Sequence, residues 1–159
     1  KMQIIEYTPV CGTRNEQCHF GRLTLPDSSL ERVPLVVNIH GGYWKEEWAL
    51  HRFDNRALFS AAGSRLPGSF ASFDIEYARV NQEEPRSSIG DGGWPETALD
   101  VLCALNALAS HREACAIDLS RVCVIGHSAG GQLSLWLGFV SRLDGSALEK
   151  LAHAVQAAG

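Results

Sequence analysis

The sequence predicts an α/β fold built on a mostly parallel sheet with flanking helices. Strand-like and helix-like segments alternate along the chain. The run from Val33 to Ile39 is nearly continuously apolar rather than alternating, the pattern of a strand covered on both faces. Two of the strand-like runs end on glycine-rich stretches, His40-Gly41-Gly42 and Gly126-His127-Ser128-Ala129-Gly130-Gly131.

Taken in order, Gln17 to Pro26 reads as an antiparallel edge hairpin. Val33-Pro34-Leu35-Val36-Val37-Asn38-Ile39 is a short β-branched run that stops at His40-Gly41-Gly42 and predicts a buried strand. From Glu47 to Ala62, Leu50, Phe53, Ala57, Leu58 and Ala61 recur at helical spacing, with Gly63 at the stop. Phe70 to Tyr77 is the second strand-like run. The polar stretch from Val80 to Trp94 is long for a connection and predicts a functional loop. Pro95 then opens a helix with Val101, Leu102, Leu105 and Leu108 on one stripe. Val122-Cys123-Val124-Ile125 is a third buried strand. Gln132 to Val140 is apolar nearly all round (Leu133, Leu135, Trp136, Leu137, Phe139), which predicts a helix buried on most sides, with Trp136 in the core.

The 159 residues are 45% hydrophobic and 20% charged, proportions that exclude disorder and suit one core, hence a single domain over residues 1–159. A formal charge of -4 offers no footprint for nucleic acid. No apolar run approaches the roughly 18 residues that span a bilayer, so no membrane partner is expected. The start, Lys1 to Glu6, lacks the apolar stretch of a signal peptide. Cys11, Cys18, Cys103, Cys115 and Cys123 make an odd number without a C-x-x-C pair, which favours free thiols and a cytoplasmic setting. Sequence alone leaves the oligomeric state open.

In an α/β sheet the loops leaving the carboxyl ends of the strands line the ligand crevice, so the stretches after Ile39, Tyr77 and Ile125 converge on one rim. One of them, Gly126-His127-Ser128-Ala129-Gly130, fits G-x-S-x-G between an apolar strand and a helix. That context predicts a sharp strand-to-helix turn that pushes the Ser128 hydroxyl out at the sheet edge. Gly126 and Gly130 let neighbouring backbone approach without a Cβ in the way. The helix start turns free N–H groups toward the reacting centre, where negative charge develops when a carbonyl is attacked. Ser128 is therefore the candidate nucleophile. His40-Gly41-Gly42 ends the earlier strand, where the other half of an oxyanion hole belongs. Its donors are expected to be the N–H groups of Gly42, Tyr43 and Ala129, each contributing roughly 3–4 kcal/mol to the transition state.

His40-Gly41-Gly42-Tyr43-Trp44 together with Gly126-His127-Ser128-Ala129-Gly130-Gly131 resembles the α/β-hydrolase esterases with an HGGxW motif, a group that includes kynurenine formamidase (arylformamidase) and related carboxylesterases. Glu76-Tyr77-Ala78-Arg79-Val80, Trp94-Pro95-Glu96-Thr97 and Asp118-Leu119-Ser120-Arg121-Val122 also look like signatures of that group. The resemblance runs from about Gln17 onward. It implies an α/β-hydrolase fold and hydrolysis of a small-molecule carboxylic ester or N-formyl amide through an acyl-enzyme on Ser128. It implies no metal and no organic cofactor. In that group the nucleophile is followed by an Asp or Glu and then a His on later loops. Downstream of Ser128 stand only Asp144, too early for the acid, Glu149, and His153 ahead of a strand-like run over 154–159. A whole hydrolase of this fold runs to roughly 200–250 residues. The chain is therefore expected to be the N-terminal portion of a longer enzyme, without its final strands and triad partners, and inactive by itself.

Several residues have a plainer reading beside a functional one. His40 and His127 orient loops rather than act as base, since the triad histidine comes last. His111 and Cys115 are i, i+4 near Cys123, but no fourth ligand supports zinc. Tyr43 and Trp44 either shape a substrate pocket or pack beside the oxyanion loop. Asp91-Gly92-Gly93 reads as a flexible turn, with a lid as the other reading. Glu76-Tyr77 divides evenly between a site-rim role and a structural hydrogen bond. Two other functions compete: a non-catalytic hydrolase-like domain, and a dinucleotide-binding domain from the spacing of Gly126, Ser128 and Gly131. The second is disfavoured because Ser128 occupies the middle glycine position, where a side chain obstructs a pyrophosphate.

Overall fold

A computed structural model describes residues 1–10, 16–26, 32–53, 70–80, 92–111, 116–140 and 142. Strands β1 (Met2–Glu6), β2 (Phe20–Thr24), β3 (Val33–Ile39), β4 (Ala71–Ile75) and β5 (Ile117–Gly126) form one five-stranded sheet in the order β1-β2-β4-β3-β5. Helix α1 (Glu96–Ser110) lies between β4 and β5, and α2 (Ala129–Val140) follows β5. A single 3-10 turn occupies Leu50–Arg52.

The sheet is mixed rather than mostly parallel. β4, β3 and β5 are parallel, whereas β2 runs antiparallel to both β1 and β4. The segment read as a self-contained hairpin supplies one strand, β2. Its hairpin partner is β1, with Met2 opposite Thr24 and Glu6 opposite Phe20. An antiparallel pair needs only a loop between its strands, while each parallel neighbour needs a crossover, so the amino-terminal strands add to the sheet antiparallel.

β4 is buried at all five residues, as a central strand is, although Ser72 and Asp74 interrupt its apolar residues. Ala71, Phe73 and Ile75 join Leu35, Val37 and Ile39 of β3 in the main core, with Leu23, Val101, Leu108, Leu133 and Leu137. Two expectations are corrected here. β5 is longer than Val122–Ile125 and far from buried: Val122 is 43% exposed. Among the described residues it pairs on one side only, and its register with β3 shifts between Pro34 and Leu35. α2 is buried on one face, not all round. Leu133, Leu137 and Val140 face inward while Leu135 is 80% and Phe139 66% exposed. Trp136 is half-buried rather than core, edge-on to Trp94 at 5.9 Å.

Register places the site. Ile39 pairs with Ile75 on one side and Gly126 on the other, so the three parallel strands end level. The chain passes from β3 to β4 on one flank and then to β5 on the other. The loops after them therefore open at a topological switch point, where α/β sheets bind ligands.

Candidate active site

Between the end of β5 and the start of α2 the chain turns within two residues, His127 and Ser128. Ser128 has φ +56 and is exposed. A left-handed serine costs about 1–3 kcal/mol and persists only where its surroundings impose it. Those surroundings are hydrogen bonds and close backbone contacts. The Gly130 N–H donates to His127 O (2.9 Å) and the Gln132 N–H to Ser128 O (3.2 Å), which starts the helix directly at the turn. A Cβ on Gly130 would lie 2.0 Å from the Ile39 carbonyl oxygen, so only glycine lets α2 start this close to β3.

The loop after β3 meets the same turn. A Cβ on Gly41 would fall 2.5 Å from His127 O and 3.1 Å from Ser128 Cβ. The diglycine thus lies directly against the serine turn, on the same face. Gly42, Tyr43 and Trp44 all have positive φ (111, 54 and 57°). Lys45 N–H donating to Gly42 O (2.9 Å) closes that turn. Val80 N–H donating to Trp44 O (2.6 Å) and Glu46 N–H to Val80 O (3.1 Å) tie the loop to the segment after β4. The N–H groups of Gly42, Tyr43 and Ala129 have no backbone acceptor among the described residues. Open donors beside an exposed hydroxyl, at the positive end of α2, are what a developing oxyanion needs.

Beneath the loop sits a buried polar cluster that resolves the two readings of Glu76-Tyr77. Oε1 of Glu76 lies 2.9 Å from His40 Nε2 and accepts from the Tyr77 N–H (3.1 Å) and the Arg79 guanidinium; Oε2 accepts from the Leu50 N–H (2.7 Å). The Tyr77 hydroxyl donates to His40 O (2.7 Å), and its ring stacks on His40 at 4.2 Å with 7° between planes. Burial first, then the Glu76 charge, pushes the Tyr77 phenol well above its ordinary value, which keeps it a hydroxyl donor. Phe53 stacks near His40 at 5.3 Å. Glu76 and Tyr77 thus make structural hydrogen bonds, and each ring nitrogen of His40 has an acceptor within 2.9 Å.

The remaining sequence-predicted residues are placed as follows. His127 is exposed beside Gly41, as a loop residue. Tyr43 is 75% exposed and Trp44 half-buried, so only Tyr43 stands free at the rim. Gly92 and Gly93 pack closely on their neighbours: a Cβ on Gly92 would lie 2.4 Å from the Arg79 backbone, and Gly93 N–H donates to Thr97 Oγ1 (3.0 Å). Asp91, Cys115, Asp144, Glu149 and His153 lie outside the described residues. Of the helix expected from Glu47 to Ala62, residues 47–53 are helical only in the 3-10 turn at Leu50–Arg52, and 54–62 lie outside the described residues. No group of three His, Cys, Asp or Glu side chains able to hold a metal occurs among the described residues. None of their helices is long and apolar enough to cross a membrane. Sequence reasoning missed Tyr7, whose hydroxyl donates to Glu76 O (2.8 Å), and Asp100, which accepts from Ala78 N–H (2.9 Å). Asp100 could have been found as a charge in the middle of an apolar helix.

Parallel strands ending level, a left-handed serine between β5 and α2, and a glycine loop pressed against it make this an α/β-hydrolase fold. Residues 22–157 match the BD-FAE family, and the chain belongs to it. No curated protein matches the chain. Among solved structures it is similar to a hyperthermophilic esterase from the archaeon Pyrobaculum calidifontis, at 21% identity and a TM-score of 0.65 over 89% of this chain and 39% of that one. It is likewise similar to a bacterial heroin esterase, at 24% identity and a TM-score of 0.62 over 84% of this chain and 37% of the other. The chain thus spans about two fifths of the length of these neighbours.

Proposed function

We propose that the full-length protein is a serine hydrolase that cleaves small carboxylic esters through an acyl-enzyme on Ser128. The observation that carries this reading is the contact between an exposed, left-handed Ser128 and the Gly41–Gly42 turn, with open amide donors on both sides. A base removes the Ser128 proton as Oγ attacks the acyl carbon. The carbonyl oxygen becomes an oxyanion held by the N–H groups of Gly42, Tyr43 and Ala129. The base then returns the proton to the departing alcohol, leaving the acyl group on Ser128. Water, deprotonated by the same base, attacks that ester and releases the carboxylic acid. The base and the acid that orients it belong to residues outside those described; among the described histidines, His40 is fully engaged beneath the loop. An N-formyl amide passes through the same steps with an amine leaving. Esters come first because the structural neighbours are esterases. Exposed Tyr43 fits a pocket lip for the acyl or leaving group. No cofactor is needed for any step. The odd number of cysteines, without a C-x-x-C pair, supports a reducing, cytoplasmic setting.

Pre-steady-state hydrolysis of p-nitrophenyl acetate by the full-length protein tests the reading. An initial burst of nitrophenol stoichiometric with enzyme, lost in Ser128→Ala, is expected. Folded protein that hydrolyses neither this ester nor an N-formyl anilide supports a non-catalytic hydrolase-like domain instead.

A further inference from the structure

We propose that His40 and Glu76 are positioning residues that set the direction of the Gly42 N–H, and so assemble the oxyanion hole from beneath; this rests on the hydrolase reading above. His40 Nδ1 lies 2.8 Å from the Gly41 carbonyl oxygen and Nε2 lies 2.9 Å from Glu76 Oε1. The Gly41 carbonyl oxygen can only accept, so a hydrogen bond there uses the ring N–H at Nδ1. The Gly41 carbonyl and the Gly42 N–H belong to one planar trans peptide, and they point in opposite directions. A ring that draws the carbonyl into the buried layer therefore turns the Gly42 N–H outward, away from that layer.

A peptide between two glycines has no Cβ to oppose its rotation, so some external contact must choose its orientation. His40 supplies it, and everything around His40 fixes the ring. The residue is 2% exposed and stacked between Tyr77 and Phe53. Its own carbonyl is held by the Tyr77 hydroxyl at 2.7 Å, which fixes the preceding peptide as well. Glu76 is fixed in turn by Arg79, Leu50 N–H and Tyr77 N–H, and Arg79 Nε donates to Glu46 O (3.1 Å) in the same loop. Glu76 thus joins the strand end to both ends of the loop that bears the donors. Neither residue touches the reacting atoms; both act through one peptide plane.

The test uses the full-length protein. His40→Phe keeps an aromatic ring between Tyr77 and Phe53 and removes both nitrogens. It is expected to lower kcat for p-nitrophenyl acetate about tenfold or more while KM stays within about twofold, since the lost interaction exists only in the transition state. The inhibition constant of an aryl trifluoromethyl ketone, which forms a tetrahedral adduct, should rise by the same factor as kcat/KM falls. Glu76→Gln should act in the same direction, and the double variant should be no worse than the larger single one. If Glu76→Gln fails to fold because Arg79 loses its counter-charge, His40→Phe decides alone. A folded His40→Phe protein with wild-type kcat and ketone affinity, whatever its melting temperature, overturns the positioning role and leaves the hydrolase reading intact. A wild-type protein that hydrolyses no ester overturns both.

Discussion

Tyr43, Trp44 and Ser128 are the non-glycine residues with left-handed backbone among those described, and all three lie in the two loops that meet at the rim. Strain held at one place by hydrogen bonds and close glycine contacts is a sign of a site kept for geometry rather than stability. Gly41→Ala tests how tightly that geometry is set. Its Cβ would sit 2.5 Å from the His127 carbonyl oxygen, so the serine turn must move. About 1–3 kcal/mol of stability should be lost in denaturant titration, and kcat/KM should fall about a hundredfold, as for misplacement of a nucleophile by an ångström. Cys18 makes a different residue-scale prediction. Burial first, and the nearby Asp100 charge second, push its thiol from 9.0 up to about 12. Between those values the unfolded chain releases the proton and the folded chain keeps it, so stability falls as pH rises. The slope from this group is at most about 1.4 kcal/mol per pH unit. Above pH 10 the buried Tyr7 and Tyr77 phenols, both raised, act in the same direction. Urea titrations at about pH 8 and about pH 10 should show the loss in wild type and a flatter dependence in Cys18→Ala.

At the scale of elements, α2 shows what hydrophobicity alone can and cannot say. Its composition reads as buried all round, yet Leu133 and Leu137 carry the packing and Leu135 and Phe139 stand out from it. Leu133→Ala or Leu137→Ala should cost about 2–5 kcal/mol and Leu135→Ala less than about 0.5 kcal/mol, measured by chemical unfolding. Equal costs at all three positions would contradict the packing described. The strand run of β3 was legible because burial on both faces leaves a nearly continuous apolar signature, and that of β4 because Ala71, Phe73 and Ile75 recur at every second residue. β1 was not, because only Ile5 of its five residues is buried and a strand so exposed has little apolar pattern to read. β5 was read too short for a related reason: Asp118, Ser120 and Arg121 are polar and bond to one another, Ser120 and Arg121 both donating to Asp118. Those bonds, Ser120's foremost, hold the Asp118 carboxyl down at about 2.

For the molecule as a whole, the parallel half of the sheet and its level strand ends followed from the order of motifs along the chain. The antiparallel half did not, since pairing direction depends on connections rather than on composition. The rim residues Ser128, Gly41 and Gly42 were legible because special backbone geometry demands particular residue types. The layer beneath was legible only in part: Glu76 and His40 stood out, but that one carboxylate gathers His40, Arg79, Tyr77 and Leu50 is a fact of three dimensions. Fluorophosphonate labelling of the full-length protein, with the modified residue located by peptide mass spectrometry, tests the central claim most directly. The account predicts one label, on Ser128, absent from Ser128→Ala and slowed in His40→Phe. Folded protein left unlabelled, or labelled at another residue, would contradict it.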